Sequence, residues 1–68
     1  MDDKPVTEAR ANLTELVASV RLLRKSVQLS RRGKPQAALV PVELAQAAED
    51  AGGPDAAAEI LRKAAGGQ

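Results

Sequence analysis

The stretch Leu29-Ser30-Arg31-Arg32-Gly33-Lys34-Pro35-Gln36-Ala37-Ala38-Leu39-Val40-Pro41, "LSRRGKPQAALVP", decides the fold. Two short apolar runs flank a turn with three positive charges. Upstream, Val27 and Leu29 alternate with Gln28 and Ser30, the pattern of a half-buried strand. Gly33 is free to take a positive φ in the turn, and Ala37–Val40 returns as a second strand. Pro35 has no N–H to donate, so it belongs at a strand start or on an outer edge. The stretch therefore predicts a β-hairpin.

Helical patterns surround the hairpin. In "VTEARANLTELVASVRLL", Ala9, Leu13, Leu16, Val17, Val20 and Leu23 recur at helical spacing and make one apolar stripe. Thr7 suits an N-cap, Glu8 suits the positive end, and Arg21, Arg24 and Lys25 suit the negative end. One helix is expected from about Glu8 to Leu22. Arg10 would then fall in its first turn, where free N–H groups favour phosphate, and Arg21 would share its stripe three turns on. After the hairpin, "VELAQAAEDAGG" reads from Val42 as an Ala-rich helix stopped by Gly52-Gly53. Pro54 or Asp55 starts another helix, ended by Gly66-Gly67, with Glu59 and Lys63 as an i, i+4 pair. "MDDKPV" is at most a weak strand. The expected fold class is α+β, in the order helix, hairpin, helix, then an extended or helical C-terminal tail.

Composition bounds what such a chain does. Its 68 residues include no Phe, Tyr, Trp, Cys or His. The larger apolar side chains are almost all Val, Leu and Ile, and much of the rest is Ala, which buries little area. Disulfides and Cys/His metal sites are ruled out as staples, so the chain is expected to complete its core as a dimer. No run reaches membrane-spanning length, and the acidic N-terminus has no signal-like apolar segment. A soluble cytoplasmic protein is the expectation. Without Cys or His, and without a phosphate-loop or dinucleotide fingerprint, no catalytic residues, metal or cofactor are expected. An enzyme is not expected, nor a small-molecule substrate.

Net charge is +1, unevenly spread. Residues 1–41 carry eight Lys and Arg against four acids, a net +4; residues 42–68 carry two against five, a net −3. The basic half suggests a polyanion and the acidic half a different partner. By itself a charged turn equally serves to keep a hairpin tip soluble. Paired in a two-fold dimer with Arg10, it has the character of a palindrome reader.

The segments "TEARANLTELV" (7–17) and "LSRRGKPQAALVPVE" (29–43) closely resemble the Phd/YefM (prevent-host-death) antitoxins of bacterial toxin–antitoxin pairs. The resemblance spans about residues 5–46, in the family's order and spacing. It implies a dimer whose N-terminal part binds the operator of its own operon, represses it, and so is autoregulated. The C-terminal segment would bind and neutralise a cognate toxin. For DNA binding it implies Arg10 and Arg31, with Thr7, Arg32 and Lys34 beside them. The apolar residues of the first helix and hairpin, Leu13, Leu16, Val27, Leu29 and Leu39, become the dimerisation candidates. Leu44, Ala48, Ala57, Ile60, Leu61 and Arg62 are the candidates for toxin contact. Domains divide accordingly into 1–44, for dimerisation and DNA, and 45–68, for toxin. The chain departs from the family pattern in its weak first strand and in a second helix without an aromatic. Two other readings stay open: an autonomous dimeric transcriptional regulator without a toxin, and a protein-interaction module that does not bind DNA.

Overall fold

The computed structural model describes residues 1–66. Its element order is β1 (Asp2–Pro5), α1 (Val6–Ala11), α2 (Leu13–Leu23), β2 (Val27–Arg31), β3 (Lys34–Leu39), α3 (Val42–Asp50) and α4 (Pro54–Gly66). The three strands form one mixed sheet in the order β1-β2-β3. The α+β class is as expected; two local features of the N-terminal half are not.

First, residues 2–5 form a strand. β1 pairs parallel with β2, Asp2 opposite Val27 through Pro5 opposite Ser30. A parallel pair needs a crossover, which α1 and α2 supply. "DDKP" has no apolar alternation, so its strand state comes from context. Lys25 reaches Asp2 at 2.7 Å, and Ser30 Oγ donates to the Lys4 carbonyl at 3.5 Å.

Second, the single helix expected from Glu8 to Leu22 is two. Asn12 breaks it, with φ −124° and ψ 30°. Its backbone N–H donates to the Glu8 and Ala9 carbonyls, its side-chain amide also donates to Glu8, and its own carbonyl accepts from Leu16. Asparagine competes for backbone partners in this way, which makes it a poor helix-interior residue. The helix also starts earlier than expected. Pro5 holds the N-cap position, φ −61°, with no side-chain capping bond, and Thr7 lies inside α1 rather than capping it. Arg10 is consequently in the last turn of α1, not the first. Arg10 and Arg21 lie on different helices, so the expected shared stripe is interrupted.

The hairpin is as predicted, and tighter. β2 and β3 pair antiparallel, Val27 opposite Leu39 and Arg31 opposite Lys34. Arg32 and Gly33 form the two-residue turn with φ of 53° and 77°. Positive φ at both positions is the signature of a type I′ turn, whose twist matches the strands it joins. Pro35 is the second residue of an edge strand, where its missing N–H is tolerated.

The core is small. Ala9, Val20 and Val27 are its buried apolar side chains, and Leu13, Val17, Leu22 and Leu23 stay substantially exposed. The helix after Pro41 ends in a Schellman motif. Gly53 N–H donates to the Ala48 carbonyl at 2.9 Å and Gly52 N–H to Glu49 at 3.0 Å, with Gly52 at φ 107°. α4 then folds back on α3. A domain boundary drawn between 44 and 45 falls within α3.

Candidate nucleic-acid interface

Where α1 meets the hairpin, Pro5, Val6, Thr7, Arg10, Ser30, Arg31 and Arg32 line an open groove of about 360 Å3. Its two walls are far apart in sequence. α1 packs on β1 and β2, which carries Thr7 and Arg10 to the strand end where Arg31 and Arg32 begin the turn. Four of the five DNA-binding candidates are thus brought together. Lys34 lies across the turn and does not line the groove. No carboxylate lines it either.

The charges in this groove are uncompensated. Among the described residues Lys4, Arg24, Lys25 and Lys63 each pair with a carboxylate, Glu8, Glu43, Asp2 and Glu59 respectively. Arg10, Arg31, Arg32 and Lys34 pair with none, and all four are exposed. Arg21 and Arg62 also have no carboxylate partner among the described residues, but only at the hairpin end do three such bases share one groove. Three guanidiniums about one cleft present planar donor forks suited to phosphate oxygens or to a guanine edge. The hydroxyl of Thr7 adds a neutral donor of the kind that positions a phosphate backbone. Ser30, Pro5 and Val6 were not among the sequence candidates. Ser30 is buried, and its signal, a small polar residue ending an apolar alternation beside a basic pair, is too common to stand out.

Two carboxylates elsewhere are electrostatically engaged. The hydrogen bond and charge of Lys25 hold the Asp2 carboxyl below its usual range. The backbone N–H of Glu43 itself, then the Arg24 guanidinium at 2.9 Å, do the same for Glu43. Both pairs are exposed and tie the sheet's flanks together at little energetic gain.

A second surface lies on the α3–α4 hairpin. Leu44, Ala48, Ala57, Ile60 and Leu61, with neighbouring Ala residues and Pro54, line an apolar groove of about 370 Å3. Five of the six toxin-contact candidates meet there; Arg62 does not line it. Ile60 and Leu61 are 55% and 61% exposed, so the hairpin leaves its largest side chains without cover. Of the dimerisation candidates, Val27 is 2% exposed and fills the chain's own core. Leu16, Leu29 and Leu39 are half-buried, and Leu13 is exposed. Among the described residues no helix is long and apolar enough to cross a membrane.

Set against known proteins, the chain matches no family model, no curated protein and no solved structure.

Proposed function

We propose that this chain is an antitoxin of the Phd/YefM type: a dimeric repressor that binds operator DNA through the Thr7–Arg10–Arg31–Arg32 groove and neutralises a toxin through α3 and α4. The observation that carries the reading is the convergence of Thr7, Arg10, Arg31 and Arg32 on one unpaired basic cleft. Residues 21 or more positions apart are assembled there, with no acid lining the groove, beside a two-residue turn. That placement favours a polyanion over a merely soluble hairpin tip. Arg10 and Arg31 contact phosphates or base edges, and Arg32 and Lys34 add counterion-releasing contacts. No catalytic role is assigned to any residue. Repression and autoregulation follow from operator occupancy.

Support for the toxin half comes from the second groove. An acidic segment that exposes Ile60 and Leu61 beside an apolar channel suits a basic partner protein with an apolar anchor. Co-expression with the adjacent reading frame tests it: the neighbour should arrest growth alone and be harmless with this chain. Deleting residues 52–68 should abolish rescue. A neighbour that is harmless alone, or rescue that survives the deletion, refutes the antitoxin reading and leaves the autonomous regulator.

A further inference from the structure

The α3–α4 arm is a helical hairpin with one side open. Gly52 and Gly53 specify its bend, at φ 107° and 105°, a region that side chains other than hydrogen resist. Pro54 then sets the first turn of α4, and the Ala57 N–H donates to the Gly53 carbonyl at 3.0 Å. Each helix turns a stripe into the apolar groove of about 370 Å3. On α3 the stripe is Leu44, Ala47, Ala48 and Ala51, spaced i, i+3, i+4, i+7. On α4 Pro54, Ala57, Ala58 and Leu61 repeat that spacing. Neither helix has a buried residue, and Leu44, Ile60 and Leu61 are 48%, 55% and 61% exposed.

We infer that this groove takes a single amphipathic helix of a partner protein, apolar on one side and basic along its flanks, to complete a three-helix bundle. Away from the helix ends the backbone groups of α3 and α4 are bonded within the helices, so the arm offers no edge to an added strand. Two helices folded back on one another instead offer a third helix a trough along their length. The alanine floor lets the third backbone come close, and Leu44, Ile60 and Leu61 supply the large apolar contacts. At nine residues α3 is about 14 Å long, room for about two and a half turns of the partner.

Charge sets the character of the partner's flanks. Residues 42–68 carry a net −3. Glu43 and Glu59 are paired, with Arg24 and Lys63. Glu49, Asp50 and Asp55 have no basic partner among the described residues, and they stand on either side of the bend. A helix with Lys or Arg beside its apolar stripe answers those three carboxylates, whereas a second copy of the arm brings the same net negative charge. The partner's identity as a toxin rests on the proposed function. The groove itself is a receptor into which that partner inserts a helix, not a tail that orders itself around the partner.

The test uses the full chain, made by chemical synthesis so that position 53 can carry a residue of either hand. The probe is a fluorescent helical peptide of about three heptads, with Leu at a and d and Lys at e and g; a Glu-flanked analogue is the control. Anisotropy titrations should show the Lys peptide binding about tenfold or more tighter than the Glu peptide. Ala57→Leu, which fills the groove floor, should cut that affinity about tenfold or more with circular dichroism unchanged. Gly53→Ala is strained by its φ of 105°, although the added Cβ meets nothing within 4 Å, and should cut the affinity as well. Gly53→D-Ala, whose hand suits a positive φ, should restore it. Equal binding of the two peptides, indifference to Ala57→Leu, or equal affinity of the two position-53 variants overturns the inference. So does a concentration-dependent self-association that Ala57→Leu removes, which gives the groove to a second copy. Rescue from the adjacent gene's product that needs residues 52–68 yet survives both Ala57→Leu and Gly53→Ala also overturns it, and leaves the antitoxin reading standing. Peptide binding of the expected kind beside a harmless neighbour upholds the groove and defeats the antitoxin reading.

Discussion

Arg32 stands in the turn at φ 53°, a conformation that side chains other than Gly and Asn resist. A type I′ turn followed by Gly33 would ordinarily begin with Asn. The arginine therefore spends stability to place a guanidinium at the mouth of the groove, the kind of local strain that gathers at working sites. Arg32→Asn should raise the stability by about 0.5–1 kcal/mol, a few degrees in melting temperature, and weaken promoter binding at the same time. Thermal melts and a binding titration on one preparation check both halves; a variant with higher stability and unchanged binding would mean that Arg32 serves only the turn. Single residues also explain what the sequence concealed. Gly33 announced its positive φ, whereas nothing about Arg32 did. Asn12 was visible as a weak helix former, yet the apolar spacing on either side of it reads through without a break, and only the backbone shows that its side chain captures the Glu8 carbonyl.

At the level of elements, the hairpin, α3 and α4 were legible because turn chemistry and stop signals mark them locally. β1 was not, because its strand state is imposed by β2 and by Lys25 rather than by its own pattern. The candidate site was legible as residues but not as a place. Thr7 and Arg10 were expected at the N-terminus of one long helix, and the structure instead sets Arg10 at the last turn of a short helix against the hairpin. The ion pairs at the flanks carry a pH prediction. Asp2 and Glu43 have carboxyls held below the usual range in the folded state, so their contribution is present above the unfolded values and disappears as pH falls through the folded ones. Melting temperature should decline on acidification below the usual carboxylate range, and the Asp2→Asn, Glu43→Gln double variant should decline less. An identical acid profile in the variant would show that neither pair contributes. On α4, Ile60 and Leu61 support no core, so replacing both with Ser should leave the melt of the sheet domain unchanged while weakening toxin capture by tenfold or more. Pull-down of the toxin together with circular dichroism separates the two effects.

Taken as a whole molecule, the chain divides its surface by charge and polarity. The sheet end gathers unpaired arginines, and the α3–α4 end is acidic with an uncovered apolar channel. The proposed function assigns the two ends to partners of opposite character, DNA at the first and a toxin at the second. In the proposed function, the groove at the α1–hairpin junction binds DNA. Its most direct test is a titration of the chain's own promoter DNA at several salt concentrations, for the wild type, Arg10→Ala and Arg31→Ala. Binding should be selective for promoter over unrelated DNA and should weaken steeply with salt. Each variant should lose about tenfold or more in affinity, with a shallower salt slope for every phosphate contact removed. Wild-type binding that is absent or indifferent to sequence, or binding unchanged in both variants, would show that the groove is not a DNA-binding site.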